Sequence, residues 1–187
     1  SCKDRGICPS CSGRRMVDVA AHLVDFVLPQ VPVRQWVLSV PFSLRYLFAR
    51  EPKLLSGALR IFVQEVFRHI RARSGVRPRK NALCGSVTAV QRFGGALNLN
   101  IHFHTLVLDG VVMRGDHSFK RAEPPSEEEL DEVLFRTRER IRVFLAARGY
   151  GPLAGEGTQE DPGVLDLVQA ASIREWVAMG GKPRKVE

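Results

Sequence analysis

The stretch Leu97-Asn-Leu-Asn-Ile-His-Phe-His-Thr-Leu-Val-Leu108 alternates apolar and polar side chains as far as His104. Period two is the mark of a strand with one buried and one polar face. Leu97, Leu99, Ile101 and Phe103 fall on one side, and Asn98, Asn100, His102 and His104 on the other. Residues two apart on a strand stand about 7 Å apart, so the two imidazoles can converge on a single ion between them. That ion is expected to be Mg or Mn in function, although imidazole also suits Zn. A third ligand has to come from the neighbouring strand. If a four-residue turn is centred on Gly95 and Ala96, Gln91 stands opposite Asn100 and Ala89 opposite His102, which puts Gln91 on the metal face. A one-residue change of register would turn it away. The competing reading is a pair of core imidazoles satisfied by backbone and water; the asparagine row and the basic surroundings favour the metal.

A second set of ligand-type residues opens the chain. Cys2, Cys8 and Cys11 lie close together, and Cys8-Pro-Ser-Cys11 has the two-residue knuckle spacing of a zinc site. A tetrahedral ion asks for a fourth ligand, from His22, from Cys84 or, the favoured source, from sequence upstream of Ser1. Free thiols or a redox pair are the alternatives, but a redox pair lacks its βαβ context.

These residues need a scaffold. Met16, Val19, Ala20, Leu23, Phe26 and Val27 recur at helical spacing between Arg14 and Leu28 and predict a first helix with His22 on its polar side. Val33 to Val40 reads as a strand bounded by prolines, Ser43 to Ala49 as a short helix, and Lys53 to Ser74 as a long helix buried along Leu55, Leu59, Phe62, Val66 and Ile70. Strands follow over Cys84–Phe93 and Leu97–Met113, with a hairpin turn at Gly94-Gly95-Ala96. Ser126 and Glu129 form a capping box for a helix to about Ala147. Gly149 to Gly163 reads as a loop and Val164 to Met179 as a last helix. Strand, helix, strand, strand, helix is an α+β pattern, a ferredoxin-like antiparallel sheet with helices on one face that lacks its final strand.

Composition points to a partner. The 187 residues carry 28 Lys and Arg against 20 Asp and Glu, a net charge of +8, which suits a polyanion and nucleic acid first. Val66 to Leu108 holds no acidic residue, and Arg68, Arg71, Arg77, Arg79, Lys80 and Arg92 fall there, so with Asn98 and Asn100 they are the expected DNA contacts. No run approaches the roughly 18 apolar residues of a membrane helix, and no secretory segment opens the chain. A cytoplasmic location, associated with the nucleoid when on DNA, is expected. The missing initial Met and the unpatterned basic run Gly180–Glu187 make the chain read as part of a longer one.

His102-Phe103-His104 resembles the His-hydrophobic-His signature of the HUH single-strand endonucleases. More closely, SCKDRGICPSCSGRRM, VPVRQWVLSVPFSLRYL and VQRFGGALNLNIHFHTLVLDG resemble the two-tyrosine rolling-circle transposases of the insertion sequence 91 type. The resemblance implies that residues 1–15 are the tail of a zinc-binding domain and residues 16–187 a nuclease domain. It also implies DNA transposition, in which a divalent ion on the histidine pair and a third polar side chain assists a tyrosine that attacks single-stranded DNA at transposon ends. Only Tyr46 and Tyr150 are present. Tyr46 precedes the hairpin and Tyr150 follows Gly149 in a loop, so Tyr150 is a weak candidate nucleophile and the family's tyrosines are expected beyond Glu187. An inactive or partial transposase is therefore expected. Two other classes compete. One is a non-catalytic, zinc-containing DNA-binding module. The other is a cupin-like metalloenzyme, suggested by Gly95, His102, His104, Asp109 and Gly115 but opposed by three amphipathic helices in a fold that should be all-β.

Overall fold

The computed structural model describes residues 9–94 and 98–150, with the backbone alone for residues 9–13. They form two compact units that divide between Val31 and Pro32. The first contains helix α1 (Pro9–His22), which widens into a π-helical turn over Leu23–Val27. Leu28 N–H closes that turn on the Leu23 carbonyl at 2.8 Å, one residue before Pro29. The stripe expected to be buried is exposed instead, with Met16 at 72% and Phe26 at 79%. Among the described residues, this unit holds no second element against which the stripe could pack.

The second unit is α+β with antiparallel sheets. Its elements are β1 (Val33–Ser39), α2 (Phe42–Arg50), α3 (Pro52–Arg73), β2 (Ala82–Leu83), β3 (Ser86–Phe93), β4 (Leu99–Leu108), β5 (Gly110–Met113), β6 (Phe119–Arg121) and α4 (Glu127–Ala146). The main sheet has the order β1-β4-β3 and a smaller sheet the order β2-β5-β6. Strand β4 is central, paired with β1 on one side and β3 on the other, and its odd-numbered face is the buried one. Ile101, Phe103 and Val107 are essentially inaccessible, and they share one core with Trp36 and Leu38 of β1, Ala58, Phe62 and Val66 of α3, and Leu130, Ile141 and Leu145 of α4. Helices α3 and α4 therefore cover the odd face of β4. The alternation then leaves the even face, with Asn100, His102 and His104, on the other side of the sheet.

Local chemistry sets the element ends. Pro52 sits in the first turn of α3, where its missing N–H costs nothing. In α4, Ser126 Oγ accepts from Glu129 N–H at 3.3 Å while Glu129 Oε2 accepts from Ser126 N–H at 2.9 Å, the capping box read from the sequence. The α3 stripe is broader than expected: Ala58 and Ile61 are buried as well, and Leu59 is only partly so.

The expected single strand Leu97–Met113 is two strands in two sheets. Asp109 marks the break: its N–H goes to the Pro32 carbonyl at 2.8 Å and its carbonyl accepts from Ala122 N–H at 3.0 Å. Its buried carboxylate is gripped by Arg34, through Nε at 2.8 Å and NH2 at 3.1 Å, and touched by Arg121 at 3.4 Å. Only glycine fits next, because a Cβ on Gly110 would lie 2.3 Å from the Lys120 carbonyl oxygen of β6. The β6 strand carries too little periodicity over Phe119–Arg121 to be read from sequence. The expected final helix and most of the expected glycine-rich loop lie outside the described residues.

Candidate functional site

The central strand carries the histidines, half-buried, on the face away from α3 and α4. His102 stands opposite Ser39 of β1 and Gln91 of β3, and His104 opposite Val37 and Ala89. The pairing differs by two residues from the one expected: Gln91 faces His102 rather than Asn100, and Ala89 faces His104 rather than His102. Two single steps add up to this: the turn closes one residue later than expected, with Gly94 N–H on the Asn98 carbonyl, and an irregularity between Gln91 and Phe93 inserts one further unpaired residue on β4. A shift of two keeps every side chain on its face, so Gln91 remains beside the histidines. Ser39, His102 and Gln91 thus form a polar row across three strands. Ala89 has no side chain beyond Cβ and leaves the flank of His104 open.

The two imidazole rings are 4.8 Å apart, centre to centre, and steeply inclined to one another. His102 Nδ1 lies 2.8 Å from the Asn100 carbonyl oxygen. A carbonyl only accepts, so Nδ1 carries the proton and Nε2 keeps its lone pair. His104 Nδ1 lies 2.6 Å from the side-chain amide of Gln35. A half-turn of that amide puts its oxygen against Nδ1, and the ring then donates there and also frees Nε2. Burial, followed by the neighbouring His102, holds the His104 pKa below the ordinary value. The neutral form is the one that ligates metals. Gln91 Nε2 donates to the Phe93 carbonyl at 3.0 Å, and no described residue occupies its Oε1. Two imidazole nitrogens and a carbonyl oxygen fit a divalent cation of intermediate hardness. The described residues contain no cluster of three or more His, Cys, Asp and Glu, so the amide is required to complete any three-ligand set here.

The other candidates fall elsewhere. Asn98 lies outside β4 with its Oδ1 packed over Gly94, where a Cβ would come within 2.5 Å. Arg68 and Arg71 project from α3, which covers the opposite face of the sheet, so they do not join the histidine face expected to carry them. They gather with Arg79, Lys80 and Arg114 around a separate cleft. Arg77 is exposed in the connection after α3, and Arg92 is exposed on the edge strand β3. Tyr150 is not in a free loop: its N–H bonds to the Leu145 carbonyl at 3.1 Å, and its ring packs against the core. That core lies on the helical side, away from His102. Tyr46 is 66% exposed on α2, with the Arg50 guanidinium over its ring. Cys2 and Cys8, and the side chain of Cys11, lie outside the described residues. Cys84 is half-buried on the second unit with its Sγ 3.8 Å from the Phe67 carbonyl, and burial raises its pKa.

Nothing in the sequence alone singles out Gln35 or Ser39. Their face is set by the pairing of β1 with β4, which neither strand encodes separately. Arg114 is equally inconspicuous until β5 brings it to Lys80.

With that geometry in place, one comparison bears on the class. Residues 85–159 match the family model described as "Putative transposase". The match contains all of β3 and β4 and so the whole histidine row. It supports a transposase family for this chain, and with it a role in DNA transposition and the binding of DNA. Searches of curated proteins and of solved structures gave no match. No helix among the described residues is long and apolar enough to cross a membrane.

Proposed function

We propose that this chain is the metal-holding part of a transposase that cuts single-stranded DNA, of the HUH and two-tyrosine rolling-circle kind. The observation that carries the reading is the His102–Gln91 row with His104 beside it on the sheet face away from α3 and α4. A divalent cation there supplies Lewis acidity to a phosphate oxygen of the scissile strand. The chain's own residues do the rest: Asn100 orients His102 through its carbonyl, Gln35 orients His104, and among the described residues α3 and α4 lie on the other face of β4, leaving the histidine face as the side that meets DNA. The main sheet runs first, third, second in chain order, which is the order of the first three strands of a ferredoxin-like domain, and this supports that fold. Zinc on Cys2, Cys8 and Cys11 belongs to the same reading.

The chemistry also needs a phenol poised at the metal, and a displacement of even an ångström or so from productive geometry costs on the order of a hundredfold. Tyr150 is packed on the helical side and Tyr46 is exposed on α2. The chain is therefore expected to hold metal and DNA while giving no tyrosine-linked adduct by itself. Incubation with single-stranded DNA and Mn, followed by a denaturing gel, tests this. A strong adduct lost in Tyr150→Phe would make Tyr150 the nucleophile and reverse the assignment. An adduct that survives loss of both tyrosines would sink the phosphotyrosine mechanism.

A further inference from the structure

A cleft of about 460 Å³ lies between the C-terminal half of α3, the turn at Arg79–Asn81 and the β2–β5 edge. Its charged lining is Arg68, Arg71, Arg79, Lys80 and Arg114, with Ala82 and Leu83 at the floor and no carboxylate. Among the described residues only Arg68 of this set has an acidic partner, Glu65 at 2.6 Å. Two of the guanidiniums are held in place by main chain. Arg71 Nε donates to the Ala82 carbonyl at 2.9 Å and Arg114 Nε to the Lys80 carbonyl at 3.4 Å. With Nε occupied, the paired terminal nitrogens of each fork remain for an anion, which is the geometry of bidentate phosphate recognition.

Arginines near a helix C-terminus have an ordinary explanation, since they offset the negative end of the helix dipole. That explanation covers Arg71 but not Arg79, Lys80 or Arg114, which come from other elements and converge on the same space. Like charges so placed repel one another, and a polyanion relieves the repulsion. No aromatic side chain lines the cleft, so it offers no surface for stacking bases and can read only phosphate. The adjoining cleft shares Arg68 and Arg79 but contains Glu65, Glu129 and Glu132, and it closes off the α4 side to a nucleic acid.

We propose that this cleft is a second DNA contact, which grips the sugar-phosphate backbone of DNA outside the scissile segment, on the helical side of the domain and apart from the histidine face. The proposal rests on the nucleic-acid reading above and deepens it by separating grip from chemistry. Both single strands and duplexes present the required phosphates.

The test is fluorescence anisotropy of the full chain with labelled oligo-dT and with a duplex of equal length, across a salt series in EDTA, so that the histidine site plays no part. Arg79→Gln with Lys80→Gln removes two exposed charges that hold no other residue in place. It should weaken binding at least about tenfold and flatten the slope of log affinity against log salt by about 0.7 per charge for the single strand and about 0.9 for the duplex. Arg114→Gln should act in the same direction. The control pair Arg136→Gln with Arg142→Gln removes the same charge from α4 and should change little. Equal losses in the two pairs would reduce the effect to net charge and overturn the proposal. Inorganic phosphate that binds the parent but not Arg79→Gln/Lys80→Gln, while DNA affinity stays unchanged, would mark a small-anion site and also overturn it. Loss of metal binding in His102→Ala is a separate readout, so failure of the metal assignment would not be mistaken for failure of this one.

Discussion

Removing the Asp109 carboxylate should unfasten the histidine strand from its neighbour. Asp109 is 8% exposed in its side chain and receives two bonds from Arg34, whose side chain is 27% exposed. Deleting one partner of a buried pair costs about 3–5 kcal/mol, because a charge is left behind without compensation. In Asp109→Ala that charge is Arg34, which reaches solvent well enough to recover part of its hydration, so the loss should fall near 3 kcal/mol. Arg121 is half exposed and adds little. Arg34→Ala strands the carboxylate instead, which is less accessible than its partner, and should cost more than Asp109→Ala. Asp109→Asn keeps the shape and one acceptor and should lose about 1–2 kcal/mol. With a urea slope of roughly 2 kcal/mol/M, the alanine variant's midpoint should drop by about 1.5 M in circular dichroism. A change under about 0.5 kcal/mol in Asp109→Ala, or Asp109→Ala costing more than Arg34→Ala, would refute the reasoning.

Three other outcomes follow from the same structure. Ser126→Ala removes the side-chain half of the capping box and should cost about 1 kcal/mol in urea unfolding. Gly57→Ala would gain about 1 kcal/mol of helix propensity. Its Cβ, however, meets the Phe144 ring at 2.0 Å, so the ring must leave and the variant should be less stable by about 1–2 kcal/mol, with Phe144→Leu relieving the clash. Burial holds the His69 imidazole below its ordinary 6.5, with Glu129 opposing and Arg73 reinforcing the shift. The unfolded chain then binds more protons than the folded one between those two values. Stability is full above pH 6.5 and falls as pH drops through 6.5 toward the folded value. Urea midpoints taken on either side of that window should differ less in His69→Gln than in the parent; an equal difference in both would count against the assignment.

The sequence was most informative where one physical signal dominated. Alternation from Leu97 to His104 fixed the polar face because a strand of period two has only two faces to choose from, and a capping box is written in adjacent residues. Register was less legible. A turn closed by Gly94 and Asn98 and an irregularity between Gln91 and Phe93 each move the pairing by one residue, and nothing in those side chains announces either, yet the even total leaves Gln91 on the same face. The break at Asp109 is harder to place, because Asp109-Gly110 is flanked on both sides by β-prone apolar residues, Val107-Leu108 and Val111 to Met113, and a strand read through them passes over that polar pair. It is the Arg34 contact, 75 positions away, that turns the chain there. The basic residues illustrate the same limit: their abundance between Val66 and Leu108 was plain, but packing of α3 on the odd face of β4 sent Arg68 and Arg71 to the side away from the histidines.

The central claim is that His102, His104 and Gln91 hold one divalent ion, and a manganese titration followed by electron paramagnetic resonance addresses it without depending on catalysis. One Mn ion per chain is expected, weakened by more than about a hundredfold in His102→Ala and in His104→Ala, with smaller losses in Gln91→Ala and in Gln35→Leu, since groups that orient a ligand, as Gln35 does, are worth about 10–100-fold in affinity. Unchanged Mn binding in both histidine variants, with each shown by circular dichroism to be folded, would contradict the assignment and leave the two imidazoles as structural members of the sheet.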